Sequence, residues 1–243
     1  MKKMIKKDEK VLGILGGMGS YATVYTFRRI LERFIIRKEW DYPRIVIDNN
    51  PKLPSRVRAI LYNEHKKEIV DGMCNGIRNL TKCGADIILI PCNTAHYFIG
   101  DIRKCITVPV EILDMITLAI KKCKERDYRK IAVLASEGTI VANIYKKHMV
   151  DENLSIIYPK KNDFKNIRRI IEDVKQDKVS GETKEIFINQ INTFDNIDCV
   201  VIGCTELSVM LSLLTDGKKS MFKHPVLDVL EVSIDKVVSI LRG

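Results

Sequence analysis

Short apolar runs rich in β-branched residues recur along the chain, each closed by a turn and followed by a segment whose apolar positions have helical spacing. That alternation predicts strands and helices taken in turn around parallel sheets, an α/β fold. The runs place strands at 11–15, 44–47, 86–90, 108–112, 131–135, 155–158, 199–202 and 225–227. In the first helix Val24, Phe27, Leu31 and Phe34 share one face, with Arg28, Arg29, Arg33 and Arg37 largely off it.

A faint internal repeat organises these elements. Val11-Leu-Gly-Ile-Leu-Gly-Gly17 and Ile131-Ala-Val-Leu-Ala-Ser-Glu-Gly138 are both strands that run into glycine turns. Asp86-Ile-Ile-Leu-Ile-Pro-Cys92-Asn-Thr94 and Asp198-Cys-Val-Val-Ile-Gly-Cys204-Thr205 match better still: an apolar strand, one linking residue, then cysteine with threonine close behind. Two pseudo-symmetric parallel-sheet lobes follow from this, with the boundary drawn at 1–115 plus 209–243 for the first and 116–208 for the second. Open α/β sheets bind ligands beyond the carboxyl ends of their strands. Cys92 and Cys204 would then face one cleft.

Composition narrows the class. Hydrophobic residues at 46% and charged residues at 30% describe a globular chain. The formal charge of +10 invites a nucleic-acid reading, but five of the first ten residues are lysine, which reads as a solvated tail, and the other charges are scattered. The balance predicts an attraction for anionic substrates, with no nucleic acid and no membrane as partner. The start from Met1 to Gly17 mimics a signal peptide, but its apolar run is short and ends in glycines. Seven cysteines with no C-x-x-C pair argue against a disulfide framework and predict reduced thiols in the cytoplasm.

A thiol between a strand end and a helix start meets free backbone N–H groups and the positive end of the helix dipole, which lowers its pKa from about 8.5. Cys92 and Cys204 share that setting, and Asn93, Thr94 and Thr205 add short polar groups suited to a carboxylate. Cys74, Cys83, Cys105, Cys123 and Cys199 read as buried small hydrophobes.

Gly16-Gly-Met18-Gly19, Pro91-Cys-Asn-Thr-Ala-His96 and Gly203-Cys-Thr-Glu-Leu207 resemble the signature stretches of the aspartate/glutamate racemase superfamily, nearest its aspartate racemase branch. The resemblance runs from Val11 to the closing helix. It implies cofactor-free racemisation, with Cys92 and Cys204 removing and returning the α-proton, no metal, and a small acidic amino acid as partner. Asn49-Asn-Pro-Lys-Leu-Pro-Ser-Arg56 is similar to the stretch of that branch whose arginine holds the substrate's side-chain carboxylate. The resemblance places Met18, Asn49, Arg56, Asn93, Thr94, Ser136, Thr139, Lys175 and Thr205 around the substrate. His96 and Glu206 stand as supporting residues, and a homodimer is the expected assembly. The chain departs from the pattern at Ser20, where proline is usual, and at Glu137, which puts an extra anion near the cleft.

Two readings of other classes compete. Gly17-Met-Gly19-Ser-Tyr-Ala22 fits G-x-G-x-x-A, and Asp48 ends the next strand, so a dinucleotide-binding oxidoreductase is conceivable. A non-catalytic amino-acid-binding protein would keep Arg56 and the threonines without needing either thiol.

Overall fold

A computed structural model describes residues 9–149, 154–214 and 221–243. The first eight residues, most of the lysine-rich start, lie outside them. The described elements alternate as expected: β1 (Leu12–Gly16), α1 (Ser20–Glu32), β2 (Ile45–Asn49), α2 (Arg56–Tyr62), α3 (Lys66–Lys82), β3 (Ile87–Leu89), α4 (Ile99–Cys105) and β4 (Glu111–Ile112) form the first half. The second comprises α5 (Met115–Glu125), β5 (Lys130–Ala135), α6 (Glu137–Val141), α7 (Ile144–Lys147), β6 (Ser155–Ile157), α8 (Phe164–Lys175), α9 (Gly181–Asn192), β7 (Cys199–Gly203), α10 (Thr205–Ser212), β8 (Val226–Asp228) and α11 (Val229–Arg242). Short 3₁₀ turns intervene, one of them at Asn93–Phe98.

Two four-stranded parallel sheets result, ordered β2-β1-β3-β4 and β6-β5-β7-β8. The orders are the same, so the internal repeat is a repeat of topology. Strand β8 pairs with β7 in the second sheet. That corrects the assignment of the whole segment 209–243 to the first lobe: Val226 and Leu227 stand in register with Val200 and Val201, and the Val200 N–H donates to the Pro225 carbonyl at 2.9 Å.

Strand residues alternate between two cores, as a period of two requires. Leu12, Ile14, Ile87 and Leu89 of the first sheet, with Ile131, Val133, Cys199 and Val201 of the second, enter one core continuous between the lobes, closed by α5 and α11. Leu15, Ile88 and Ile90 face a private core under α3 and α4; Leu134, Val200 and Ile202 face another under α8 and α9. Burial on both faces explains the nearly unbroken apolar runs. The shared core ties the lobes into one body.

The first helix differs from its expected face. Ala22, Thr23, Thr26 and Ile30 are buried, whereas Val24 is 65% exposed. Small residues let α1 approach α10 and α11 closely. Thr23 and Thr26 satisfy their hydroxyls by donating to the carbonyls of Gly19 and Ala22. Arg29 and Arg33, expected off the packed face, instead bond Glu231 of α11.

Candidate active site

Both cysteines follow the strand beside the first strand of their sheet: Cys92 lies beyond β3 and Cys204 beyond β7. In each sheet the chain turns to opposite sides of β1 or β5, which opens a crevice at that point. The two crevices meet in a cavity of about 50 Å³. The first lobe lines it with Met18, Ser55, Arg56, Val57, Cys92, Asn93 and Thr94, and the second with Ser136, Ile171, Lys175, Cys204, Thr205 and Glu206. An outer chamber of about 280 Å³ shares Ser55, Val57, Ser136, Ile171 and Lys175 with it.

Polar bonds stitch the lobes around this cavity. Thr94 Oγ1 lies 2.8 Å from Ser136 Oγ and 3.0 Å from Thr139 Oγ1, and Thr205 Oγ1 donates to the Pro91 carbonyl at 3.1 Å. Tyr145 of α7, fully buried, donates its hydroxyl to Asn93 Oδ1 at 2.7 Å. That bond orients the amide, leaving Nδ2 as the end with no partner. Gly203 matters here, because a Cβ on it would stand 2.8 Å from the Tyr145 hydroxyl.

Three buried side-chain atoms are without hydrogen-bond partners among the described residues: Arg56 Nε, Asn93 Nδ2 and Glu206 Oε1. All three belong to residues lining this cavity. Arg56 starts α2, which Ser55 caps by accepting the Arg58 N–H. Its other donors reach the carbonyls of Leu53, Pro54 and Met18. Glu206 Oε2 accepts from the Cys204 thiol at 3.1 Å.

Burial reverses the expected electrostatics of the thiols. Each cysteine is only 7% exposed, and desolvation pushes both pKa values up. Arg56 draws Cys92 part of the way back, while the Glu206 carboxylate drives Cys204 higher. The dipole argument fails further at Cys92, which precedes a 3₁₀ turn rather than an α-helix. The Lys175 ammonium is opposed by burial but held above its ordinary value by Glu172, which it bonds at 2.9 Å, and by Glu206.

Several predicted substrate contacts lie elsewhere. Asn49 is exposed and bonds Ser20, so both stand outside the cavity. Thr139 is fully buried behind Thr94 and Ser136. His96 also points away. The Met115 N–H donates to its Nε2 at 3.1 Å, so Nδ1 carries the proton and donates to the Cys92 carbonyl at 3.0 Å. Burial lowers its pKa, which suits a neutral ring tying the Cys92 turn to the start of α5. Glu137 lines the outer chamber and is paired with Arg168 at 2.5 Å. Of the remaining cysteines, Cys74, Cys123 and Cys199 are buried, with pKa values pushed to about 12, 11 and 12. Cys83 is exposed, against expectation, and Cys105 is half-buried.

Val57 and Ile171 line the cavity without any motif to mark them, Ser55 lies inside the Asn49 to Arg56 stretch without any feature that singles it out, and Tyr145 was equally silent in the sequence. Tyr145→Phe is expected to leave Asn93 Oδ1 buried and unsatisfied, which costs about 1–3 kcal/mol. Thermal denaturation should show a midpoint lower by several degrees; an unchanged midpoint would mean that the bond contributes nothing.

The glycine turn is poorly suited to a dinucleotide. Gly17, at φ +84°, lies against the Asn50 backbone, and the Glu206 carboxylate sits beside Gly19, where it would repel a pyrophosphate. Among the described residues no group of three or more His, Cys, Asp or Glu side chains converges as for a metal, and no helix is long and apolar enough to cross a membrane.

Fold and site define a two-lobed α/β protein with a ligand cavity between its lobes and a buried thiol from each. Residues 15–237 match the Asp/Glu/hydantoin racemase family, and the chain belongs to that family. It is 28% identical over 206 residues to the broad specificity amino-acid racemase RacX of Bacillus subtilis, covering 83% of this chain and 87% of that one. Among solved structures it resembles an aspartate racemase from Picrophilus torridus, with 26% identity, TM-score 0.77 and coverage of 95% of this chain and 94% of the other. An aspartate racemase homologue from Pyrococcus horikoshii shares the fold at 22% identity, TM-score 0.74, with coverage of 96% and 100%. The expected two-lobed fold is thereby met.

Proposed function

We propose that the protein interconverts the L and D forms of an acidic amino acid, aspartate first, with Cys92 and Cys204 as its two bases and no cofactor. One observation carries this reading: the three polar atoms without partners among the described residues, two donors and one acceptor, belong to residues that line the cavity holding both thiols. A zwitterion supplies what they lack, since carboxylates accept from Arg56 and Asn93 and an ammonium donates to Glu206. Arg56 and Lys175 are the cavity's two cations, which suits a second carboxylate.

In this mechanism Cys204 removes the α-proton of the L form and Cys92 that of the D form, and the partner thiol protonates the opposite face. The carbanion is stabilised by the adjacent ammonium and by donors at the α-carboxylate: Asn93 Nδ2 is free to donate, and the Thr94 hydroxyl can do so when Ser136 or Thr139 donates to it, whereas the Thr205 hydroxyl is given to the Pro91 carbonyl. Closure of the cavity strengthens each of these interactions by keeping water out.

A second reading is a broader amino-acid racemase. The outer chamber favours it, because Leu61, Tyr62, Phe164 and Ile167 offer apolar walls to longer side chains. The name of the B. subtilis relative points the same way. Both are tested by incubating dialysed, chelator-treated protein with L-aspartate, L-glutamate or L-alanine in deuterated water, followed by chiral chromatography and NMR. Aspartate should exchange its α-proton and approach an equal mixture of enantiomers fastest. Equal turnover of alanine would favour the broader reading, exchange in none would leave a binding protein, and activity restored only by an added cofactor would overturn the mechanism.

A further inference from the structure

Among the described residues Glu206 is the one acidic side chain lining the cavity, and it is 4% exposed. Its two oxygens differ. Oε2 accepts from the Cys204 thiol at 3.1 Å and lies 3.5 Å from the Thr205 hydroxyl. Oε1 has no partner. Lys175, a cation of the same cavity, does not supply one, because its Nζ is bonded to Glu172 at 2.9 Å. The backbone of Gly19 leaves Oε1 room, since a Cβ there would stand 2.7 Å from it. Elsewhere in the cavity the hydroxyls of Thr94 and Ser136 bond one another and that of Thr205 is given to Pro91.

The geometry points to Glu206 as the subsite for the substrate's α-ammonium, and to that contact as the step that frees Cys204 from Glu206 to act as a base. This rests on the racemase reading above. The Cys204 S–H···Oε2 bond keeps a proton on sulfur, and a nearby carboxylate opposes loss of that proton. An ammonium at Oε1 cancels the carboxylate's charge within contact distance, so the opposition falls when an amino acid is present. The demand on Cys92 is smaller, because Arg56 beside it offsets part of the effect of burial, although Glu206 opposes its thiolate as well. The substrate therefore completes the machinery that deprotonates its own L form. Proton count is conserved: the Cys204 proton passes to solvent water as the amino acid binds, the Cys204 thiolate then takes the α-proton, the Cys92 thiol delivers one to the opposite face, and each cysteine ends in the other's state at the start of that transfer.

The test compares wild type with Glu206→Gln, which keeps the shape and loses the charge, and with Glu206→Asp, which keeps the charge. The first measurement is the pH profile of iodoacetamide alkylation at Cys92 and Cys204 in free protein, read by peptide mass spectrometry. In Glu206→Gln the Cys204 profile should move about one pH unit or more toward acid, and the Cys92 profile less. The second is the ratio of succinate to aspartate dissociation constants, since the two ligands differ only in the amino group. That ratio should fall at least fivefold in Glu206→Gln, and Glu206→Asp should recover part of both effects. An unchanged ratio, an unmoved Cys204 profile, or Gln and Asp variants that behave alike would overturn the inference. Failure of wild type to exchange the α-proton of aspartate or bind either ligand would count against the racemase reading itself, and the alkylation shift would still decide whether Glu206 governs Cys204.

Discussion

Cys92→Ser and Cys204→Ser should each abolish net racemisation, by roughly 10²–10⁴-fold or more, the range expected for removal of a general acid or base. Serine fits either site sterically, because each cysteine is packed without a disulfide. A hydroxyl, however, is far too weak an acid to furnish the conjugate base. The two losses should differ in kind. With Cys204 intact, Cys92→Ser should still exchange the α-proton of an L substrate or eliminate a β-leaving group from it. Cys204→Ser should retain that partial chemistry only for D substrates. Proton NMR in deuterated water with each enantiomer reads the difference directly. Near wild-type racemisation by both variants, or loss of the same enantiomer's exchange in both, would show that the thiols do not divide the two faces.

Arg56→Ala is expected to lower kcat/KM for aspartate by roughly 10- to 150-fold, the equivalent of about 1.5–3 kcal/mol for hydrogen bonds to a charged group. Lys67→Ala is the control. Lys67 lies on the exposed face of α3, with its side chain 88% exposed and paired only to Asp71, so its removal should leave turnover unchanged. Arg56 also holds the Met18 carbonyl, so part of the loss could come from a displaced turn. Measuring alanine beside aspartate separates the two: a lost carboxylate contact penalises aspartate selectively, and a displaced turn penalises both. If Arg56→Ala is silent while both amino acids are turned over equally well, the acidic-substrate assignment fails.

The central strands β1, β3, β5 and β7 were legible because burial on both faces demands continuous apolar runs, and the half-buried edge strands β2, β4, β6 and β8 by their short β-branched or apolar runs. The cysteines were legible because each lies at the same offset from such a run in two halves of one chain. Local pattern failed where a residue's environment is set by distant partners. Val24 shares a helical stripe with Phe27, yet α1 turns its Ala and Thr ridge inward because α10 and α11 approach there. Asn49 belongs to a matching motif but ends an edge strand, so it remains at the surface. Tyr145 bears no sequence signal, since its role depends on reaching across the lobes to Asn93. Strand order likewise came from pairing: β8 joined the second sheet although its sequence reads equally well beside either.

What the sequence by itself determined is therefore local: the runs that become strands, the glycine turns at their ends, and a thiol and a hydroxyl at the matching point of each half. Chain geometry carries these without help, because they rest on neighbours in the chain. Only the tertiary structure decided the sign of the thiol electrostatics and which polar atoms stay unpartnered. Helix-start position alone argued for acidic thiols, but closing one lobe upon the other removes the water that would solvate a thiolate and raises both pKa values. The same closure uses the hydroxyls of Thr94, Ser136 and Thr205 as cross-lobe bonds and leaves Arg56 Nε, Asn93 Nδ2 and Glu206 Oε1 without partners, since hydrogen-bond satisfaction is settled by whatever packing brings within about 3 Å.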